Sequence, residues 1–183
     1  GDNITPGYWK NPEATQESFD EEGYFCTGDA VKWIDDNDIH QGLKFDGRIA
    51  EDFKLATGTF VSVGPMRGKI IAAGAPYVQD AVITGLNMKE VGAMIFPLPA
   101  ARALDKAVLH AHFQNMMNEL AKTATGSASK VARMIVLDEL PSIDKGEITD
   151  KGSINQRAVL THRADLVDAL HADTATGIIK PQG

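Results

Sequence analysis

The stretch Asp46–Gly58, DGRIAEDFKLATG, separates two parts of the chain that differ in their sequence pattern. Before it, turn signals such as Thr5-Pro6-Gly7 are frequent, and apolar residues are too sparse to form an independent core. After it, short apolar runs alternate with helical periodicity over about 120 residues, which is typical of an α/β or α+β domain. We therefore predict a β-rich part at 1–46, a charged linker at 47–52 and a second domain at 53–172.

The second domain is predicted to contain a short sheet flanked by helices, in the α+β class. Its strands are predicted at Phe53–Ala56, Phe60–Val63, Ala81–Thr84, Val91–Phe96 and Arg133–Leu137. One helix is expected to begin near Pro65 and to end at Gly74, and the spacing Ser153-x-x-Gln156 predicts a capping box that opens the last helix. Residues 173–183 lack periodicity and are predicted to be a disordered tail.

Composition limits the classes of function. With 183 residues, 43% hydrophobic and 23% charged, the chain has the composition of a folded globular protein. Its net charge of −7 argues against nucleic-acid binding, and no apolar run reaches the roughly 18–20 residues that a membrane span needs. A single cysteine, Cys26, cannot form an internal disulfide, which favours a reducing cytoplasmic location. The first residue is Gly1 rather than Met, so we expect that the chain was cut from a longer protein.

Three segments carry residues that are suited to chemistry. The carboxylate of Asp29, which ends the segment Gly23–Asp29, is able to accept hydrogen bonds from both hydroxyls of a ribose, although an Asp after Gly is also common in plain turns. Arg48 follows a glycine and could lie beside a nucleotide, or belong to a charged linker. The polar loop Leu140–Gly152 could enter a cleft or remain a solvated connector.

In this order and spacing, the segments resemble the C-terminal part of the adenylate-forming superfamily, which includes acyl- and aryl-CoA synthetases, luciferases and nonribosomal adenylation domains. Thr5–Thr15 resembles its "xxGYxxxPEAT" segment and Tyr24–Asp29 its "(Y/W)xxTGD" motif. Gly47–Gly58 resembles the "GRxxxxxKxxG" hinge motif, and Asp138–Pro141 reads "DELP". Within the superfamily, Gly146–Leu160, GEITDKGSINQRAVL, is most similar to feruloyl-CoA synthetases.

The resemblance implies an acid–thiol ligase with a mobile lid domain, preceded here by a remnant of the large N-terminal domain. Such enzymes use MgATP to convert a carboxylic acid to an acyl-adenylate and then transfer the acyl group to CoA. It implies that Asp29 holds the ribose hydroxyls and that Arg48 lies at the ribose and phosphate side. It also implies that Lys54, Thr57 and Gly58 face the pantetheine arm of CoA. The small-molecule partners are then the acid, ATP and CoA.

Several positions depart from the family pattern. The position of the usual catalytic lysine is occupied by Glu147, so the resemblance points to Lys151 as the substitute, with Lys145 as the alternative. The hinge residue aligns with Ala50, or with Glu51 if the extra residue before the next glycine shifts the register. The usual acidic helix start is replaced by the basic turn Pro65–Ile70, which suits either CoA phosphates or a solvated helix face.

The family's phosphate-binding loop, acid pocket and Mg²⁺-binding glutamate have no counterpart in the sequence, so the chain alone is expected to be inactive. Two other functions stay open. The first is a non-catalytic docking or dimerisation module of the same fold, which could form a homodimer of this chain. An aliphatic or fatty-acid CoA ligase is the other, because the residues that would select the acid are absent.

Overall fold

The computed structural model of the protein describes residues 2–182, which divide into two compact units, Gly1–Ala50 and Glu51–Gly183. Both units combine small sheets with helices, and the α+β class is confirmed. Within the described residues, every helix is too short or too polar to cross a lipid bilayer.

The first unit contains one short helix and a two-stranded antiparallel sheet. The helix α1, Pro12–Glu17, begins at Asn11, whose side chain accepts a hydrogen bond from the backbone N–H of the third helical residue at 3.0 Å. Strand β1, Asp29–Trp33, pairs with β2, Leu43–Arg48, and a 3-10 turn lies between them at Ile39–Gln41.

One face of this two-stranded sheet is apolar. Val31 pairs with Phe45 and Trp33 pairs with Leu43, and residues two apart on a strand point to the same side. These four side chains are 43–64% exposed. Two strands alone are marginally stable in water, so this face is a surface suited to a further apolar contact.

The second unit contains a three-stranded sheet, a small hairpin and five helices. Its elements are β3 Phe53–Lys54, β4 Phe60–Val61, α2 Val63–Ala73, β5 Val78–Thr84, β6 Val91–Pro97, α3 Pro99–Arg102, α4 Lys106–Lys122, β7 Val131–Val136, α5 Gln156–His162 and α6 Ala164–His171. The strand order is β5-β6-β7, with β5 antiparallel and β7 parallel to β6. The predicted helix end at Gly74 is confirmed.

Helices cover both faces of the three-stranded sheet, and the alternation along β6 shows why. Val91, Ala93 and Ile95 belong to one buried cluster together with side chains of α2 and α4. Met94 and Phe96 point the other way and belong to a second cluster with side chains of α5 and α6. Every residue of β6 is therefore buried, and this strand is the centre of the domain.

The last helix differs from the prediction. The residue that caps α5 is Asn155, whose Oδ1 accepts a hydrogen bond from the N–H of Ala158 at 3.2 Å, and not Ser153. The carbonyl of Ser153 is already occupied, because it accepts a hydrogen bond from the N–H of Thr149 at 2.9 Å in a hairpin. The predicted single helix is also divided in two, because the backbone leaves the helical region at Arg163.

A disordered tail is predicted at 173–183, of which Gly183 lies outside the described residues, whereas Ile179 pairs with the sheet. The N–H and carbonyl of Ile179 both bond to Met134, at 2.8 and 2.9 Å, and its side chain is buried. Met134 lies on β7, an outer strand of the sheet, so this short apolar segment covers an otherwise open edge. Non-local edge pairing of this kind leaves no periodic signal in the sequence.

We expect Gln156→Ala to lower the free energy of unfolding by about 1–3 kcal/mol, because it leaves a buried donor without its acceptor. Gln156 is buried, and its Oε1 accepts a hydrogen bond from the N–H of Ile83 on β5 at 3.0 Å. Urea unfolding measures the change. The neighbouring exposed variant Arg157→Ala is the control and should stay within about 0.5 kcal/mol of the original chain. Equal effects of the two variants would show that the hydrogen bond between Gln156 and Ile83 does not contribute to stability.

Candidate active site

Asp29 and Arg48, the predicted nucleotide-binding residues, lie opposite each other in the first unit. They are paired residues of the β1–β2 sheet, and Arg48 Nε is 4.0 Å from Asp29 Oδ1. The preceding residue, Gly28, has a φ of 72°, which favours glycine, and its carbonyl accepts a hydrogen bond from the N–H of Ile49 at 2.9 Å. The strand pairing thus brings together two residues that are 19 positions apart in the sequence.

The pair offers both an acceptor and a donor. Asp29 Oδ1 is buried and accepts no hydrogen bond from any residue in the range 2–182, whereas the Arg48 side chain is 67% exposed. The Asp29 side chain is 35% exposed overall, so its carboxylate is still accessible to a hydroxyl group of a bound molecule. The geometry fits a ligand with vicinal hydroxyls and a nearby negative charge, such as the ribose and phosphate of a nucleotide.

The predicted CoA-facing residues lie on one tight turn in the second unit. The N–H of Gly58 donates to the carbonyl of Leu55 at 2.8 Å, and Gly58 has a φ of 80°. The hydroxyls of Thr57 and Thr59 are hydrogen-bonded to each other at 2.9 Å. Lys54 precedes the turn on β3 and is exposed. This small hairpin therefore presents an amine, a hydroxyl and an open glycine backbone together.

The two candidate hinge residues lie on either side of the boundary between the compact units. Ala50 ends the first unit and Glu51 begins the second, and both belong to the 3-10 turn Ile49–Glu51. The next residue, Asp52, is fixed within the second unit, because its Oδ1 accepts the N–H of Val63 at 2.8 Å and caps α2. No local sequence pattern predicts this cap, because Asp52 lies outside the residues that immediately flank the helix.

Lys151 lies at the tip of a short hairpin in the loop after β7. The N–H of Gly152 donates to the carbonyl of Thr149 at 2.8 Å, and Ile148 pairs with Ile154 across the hairpin. Lys151 is exposed, so its ammonium group is available to a ligand. Lys145 is exposed on the preceding turn, and both candidate lysines therefore lie on the same loop.

Glu147, at the family's usual lysine position, is buried and paired. Its side chain accepts two hydrogen bonds from Arg163, Nε to Oε1 at 2.9 Å and Nη2 to Oε2 at 2.8 Å, and one from the N–H of Ser142 at 2.8 Å. These hydrogen bonds, with Arg163 the largest cause, lower the pKa of Glu147, and the same pair raises the pKa of Arg163. Glu147 is thus a buried anion whose hydrogen bonds connect the loop to Arg163.

The ion pair between Glu147 and Arg163 was not predicted, although the position of Arg163 in the sequence indicates a buried cation. Arg163 falls on the same apolar stripe as Val159, Leu166 and Leu170, at spacings of four, three and four residues. A cation at such a position requires a buried anionic partner, because an unpaired buried charge is costly. Glu147 is that partner, but its identity depends on the tertiary fold.

The basic turn Pro65–Ile70 does not present both of its cations. Arg67 donates from Nε and Nη2 to the two carboxylate oxygens of Asp80 on β5, at 2.6 and 2.5 Å. Its guanidinium therefore connects α2 to the sheet. This structural role differs from both predicted roles of the basic turn, binding of CoA phosphates and a solvated helix face. Lys69 is exposed.

Comparison with known proteins identifies the family to which the second unit corresponds. Residues 52–175 match the family described as "AMP-binding enzyme C-terminal domain", and the chain belongs to this family.

Relatives and solved structures extend the likeness over nearly the whole chain. A carboxylic acid reductase of Segniliparus rugosus is 26% identical over 94% of this chain and 14% of its own length. The Arabidopsis thaliana long-chain-fatty-acid–[acyl-carrier-protein] ligase AEE15, chloroplastic, is 25% identical over 94% of this chain and 24% of its own length. The solved adenylation domain of a Mycobacterium chelonae carboxylate reductase is 30% identical, with a TM-score of 0.70 over 92% of this chain and 26% of that one. The chain spans about a quarter or less of these proteins.

Replacing Glu147 by Gln should reduce stability most at neutral pH, by about 3–5 kcal/mol, because it leaves Arg163 as an uncompensated buried charge. The folded-state pKa of Glu147 lies below its ordinary value of 4.5. The stabilisation by the ionised pair is therefore fully present above pH 4.5 and is lost as the pH falls through the folded-state pKa.

Urea unfolding of both proteins at pH 7 and at low pH tests this expectation, and the difference between them should shrink in acid. Glu90→Gln is the control, because Glu90 pairs with Arg133 through a carboxylate that is 53% exposed. It should cost at most about 1 kcal/mol. A Glu147→Gln effect that does not change with pH would show that the pair contributes no ionic stabilisation.

Proposed function

We propose that this chain is the C-terminal portion of a cytoplasmic, ATP-dependent acid–thiol ligase that forms an acyl-adenylate and then a thioester with CoA. The observation that carries the proposal is the match of residues 52–175 to the C-terminal domain of AMP-binding enzymes. The opposed Asp29 and Arg48 support a nucleotide site in the first unit. The proposal includes self-association of the isolated chain through the apolar face of β1 and β2.

The residues divide between the two half-reactions. Asp29 and Arg48 would hold the ribose and phosphate of ATP or AMP. Attack of a carboxylate on a phosphate brings two anions together, and a positive charge where they meet stabilises the transition state. Lys151, exposed at the hairpin tip, supplies that charge in the proposal. Rotation at 47–52, with Ala50 or Glu51 as the hinge residue, would then bring Lys54, Thr57 and Gly58 to the pantetheine arm.

The reaction also needs Mg²⁺, but we assign it no ligand in this chain. Within residues 2–182, no group of three His, Cys, Asp or Glu side chains could hold a metal ion. Mg²⁺ prefers oxygen ligands and is commonly bound through substrate phosphates together with one or two carboxylates.

For the acid, we propose a hydroxycinnamic or other aryl acid such as ferulate, on the similarity of GEITDKGSINQRAVL to feruloyl-CoA synthetases. A fatty acid is the second candidate, because the Arabidopsis relative is named as a long-chain-fatty-acid ligase. Pyrophosphate release by the full-length protein, with ferulate, coumarate and fatty acids, separates the two. We expect ferulate to be preferred and the 183-residue chain alone to be inactive. If none of these acids caused pyrophosphate release, the result would favour a non-catalytic module.

We expect Lys151→Ala in the full-length protein to reduce adenylate formation by about 10²–10³-fold, because one charged contact in the transition state is lost. Acid-dependent ATP–pyrophosphate exchange measures this step. Thioester formation from a supplied acyl-adenylate should be retained, because the lysine has left the site by then. Folding should also be retained, since Lys151 is exposed on a polar turn.

Lys145→Ala is the matched control, because Lys145 is an exposed lysine of the same loop. It should have a small effect on both half-reactions. If Lys145→Ala were the damaging change instead, the assignment would pass to that residue. If neither mattered, the loop would have no role in catalysis.

A further inference from the structure

We infer that Glu147 is a positioning residue for adenylate formation: through its buried ion pair with Arg163 it fixes the hairpin that presents Lys151. This inference rests on the proposed role of Lys151. The carboxylate at the usual lysine position then has a function of its own, because it holds in place the substitute lysine four residues later.

The hairpin joins the buried base directly to the exposed tip. The N–H of Asn155 donates to the carbonyl of Glu147 at 2.9 Å, and the N–H of Thr149 donates to the carbonyl of Ser153 at 2.9 Å. Lys151 is four residues from Glu147 along one arm and four from Asn155 along the other. A shift at Glu147 therefore displaces both arms and the turn between them.

The base of the hairpin is anchored from several elements at once. Arg163, at the junction of α5 and α6, binds both oxygens of Glu147 and also donates to the carbonyl of Leu140 at 3.0 Å. Its guanidinium carbon lies 5.2 Å from the centre of the Phe96 ring on the central strand β6. The hairpin is thus fixed to the most buried strand of the domain and not only to its own loop.

The chemistry of the pair suits orientation better than stability. A buried ion pair is often no more stabilising than apolar residues of the same size, whereas its two parallel hydrogen bonds permit a single orientation. Each core cluster of the domain is formed by apolar side chains from helices and strands. Apolar side chains in place of Glu147 and Arg163 could therefore also fill the space between the loop and the helices. A catalytic charge, in contrast, loses about 10²-fold in rate when it is displaced by about 1 Å.

The test compares Glu147→Gln with a destabilised variant that does not touch the hairpin. In the full-length protein, Glu147→Gln should lower the ratio of ATP–pyrophosphate exchange to thioester formation from supplied acyl-adenylate by about 10- to 100-fold, whatever fraction of the protein stays folded. Met117→Ala, in the buried core beside α2, is the control. It should lower both half-reactions in the same proportion, because it only reduces the folded fraction.

A double variant gives a second readout. If Glu147 acts through the lysine, adding Glu147→Gln to Lys151→Ala should cause no further loss of exchange, because no lysine remains to be misplaced. Hydrogen exchange on the 183-residue chain is a readout independent of activity. In Glu147→Gln, the amides of Thr149 and Asn155 should lose more protection than the amide of Met134, bonded to Ile179, which loses protection only through global unfolding.

The outcomes separate this inference from the proposed function. If Glu147→Gln lowered both half-reactions equally, as Met117→Ala should, the positioning role would be wrong and the role of Lys151 would stand. Additive losses in the double variant, or a loss of protection at Thr149 and Asn155 no greater than that at Met134, would likewise overturn the positioning role. If Lys151→Ala left exchange unchanged, the proposed role of Lys151 would fail, and the positioning role with it.

Discussion

The ion pair between Glu147 and Arg163 is the constraint on which the arrangement of the loop after β7 depends. Its two hydrogen bonds join the loop after β7 to the junction of α5 and α6, and Phe96 places the same arginine against the central strand. Removing both charges from water is costly, and the cost is offset only when every lone pair is met. The backbone N–H of Ser142 contributes to this by donating to Oε2.

Local signals in the sequence predicted much of the fold. Pro65 and Gly74 mark the first turn and the end of α2, and the apolar run Val91–Phe96 marks the central strand, because these features depend on a few neighbouring residues. The misses all involve pairing that the local sequence pattern does not show, whether the partner is near or distant in the sequence. Ser153 looked like a cap until its carbonyl was found paired in a hairpin, and Ile179 gave no hint of its partner on β7.

In the candidate site, too, some features are visible in the local sequence and others depend on the tertiary fold. Asp29 and Arg48 each follow a glycine in the sequence, but it is the register of β1 with β2 that places them opposite each other. No spacing rule connects Asp52 to the start of α2 at Val63, because the hydrogen bond between them depends on the tertiary fold. Asp52, the last residue of the proposed hinge 47–52, is therefore held within the second unit.

The outer strand β5 also bears on how the protein behaves at high concentration. Two consecutive outward N–H groups of this strand are already occupied, at Ala81 by the side chain of Asp80 at 2.8 Å and at Ile83 by Gln156 at 3.0 Å. An outer strand with free donors is a template on which another molecule's strand can assemble. Here two side chains take the place of that incoming strand, so the edge is closed to growth of a continuous intermolecular sheet at these positions.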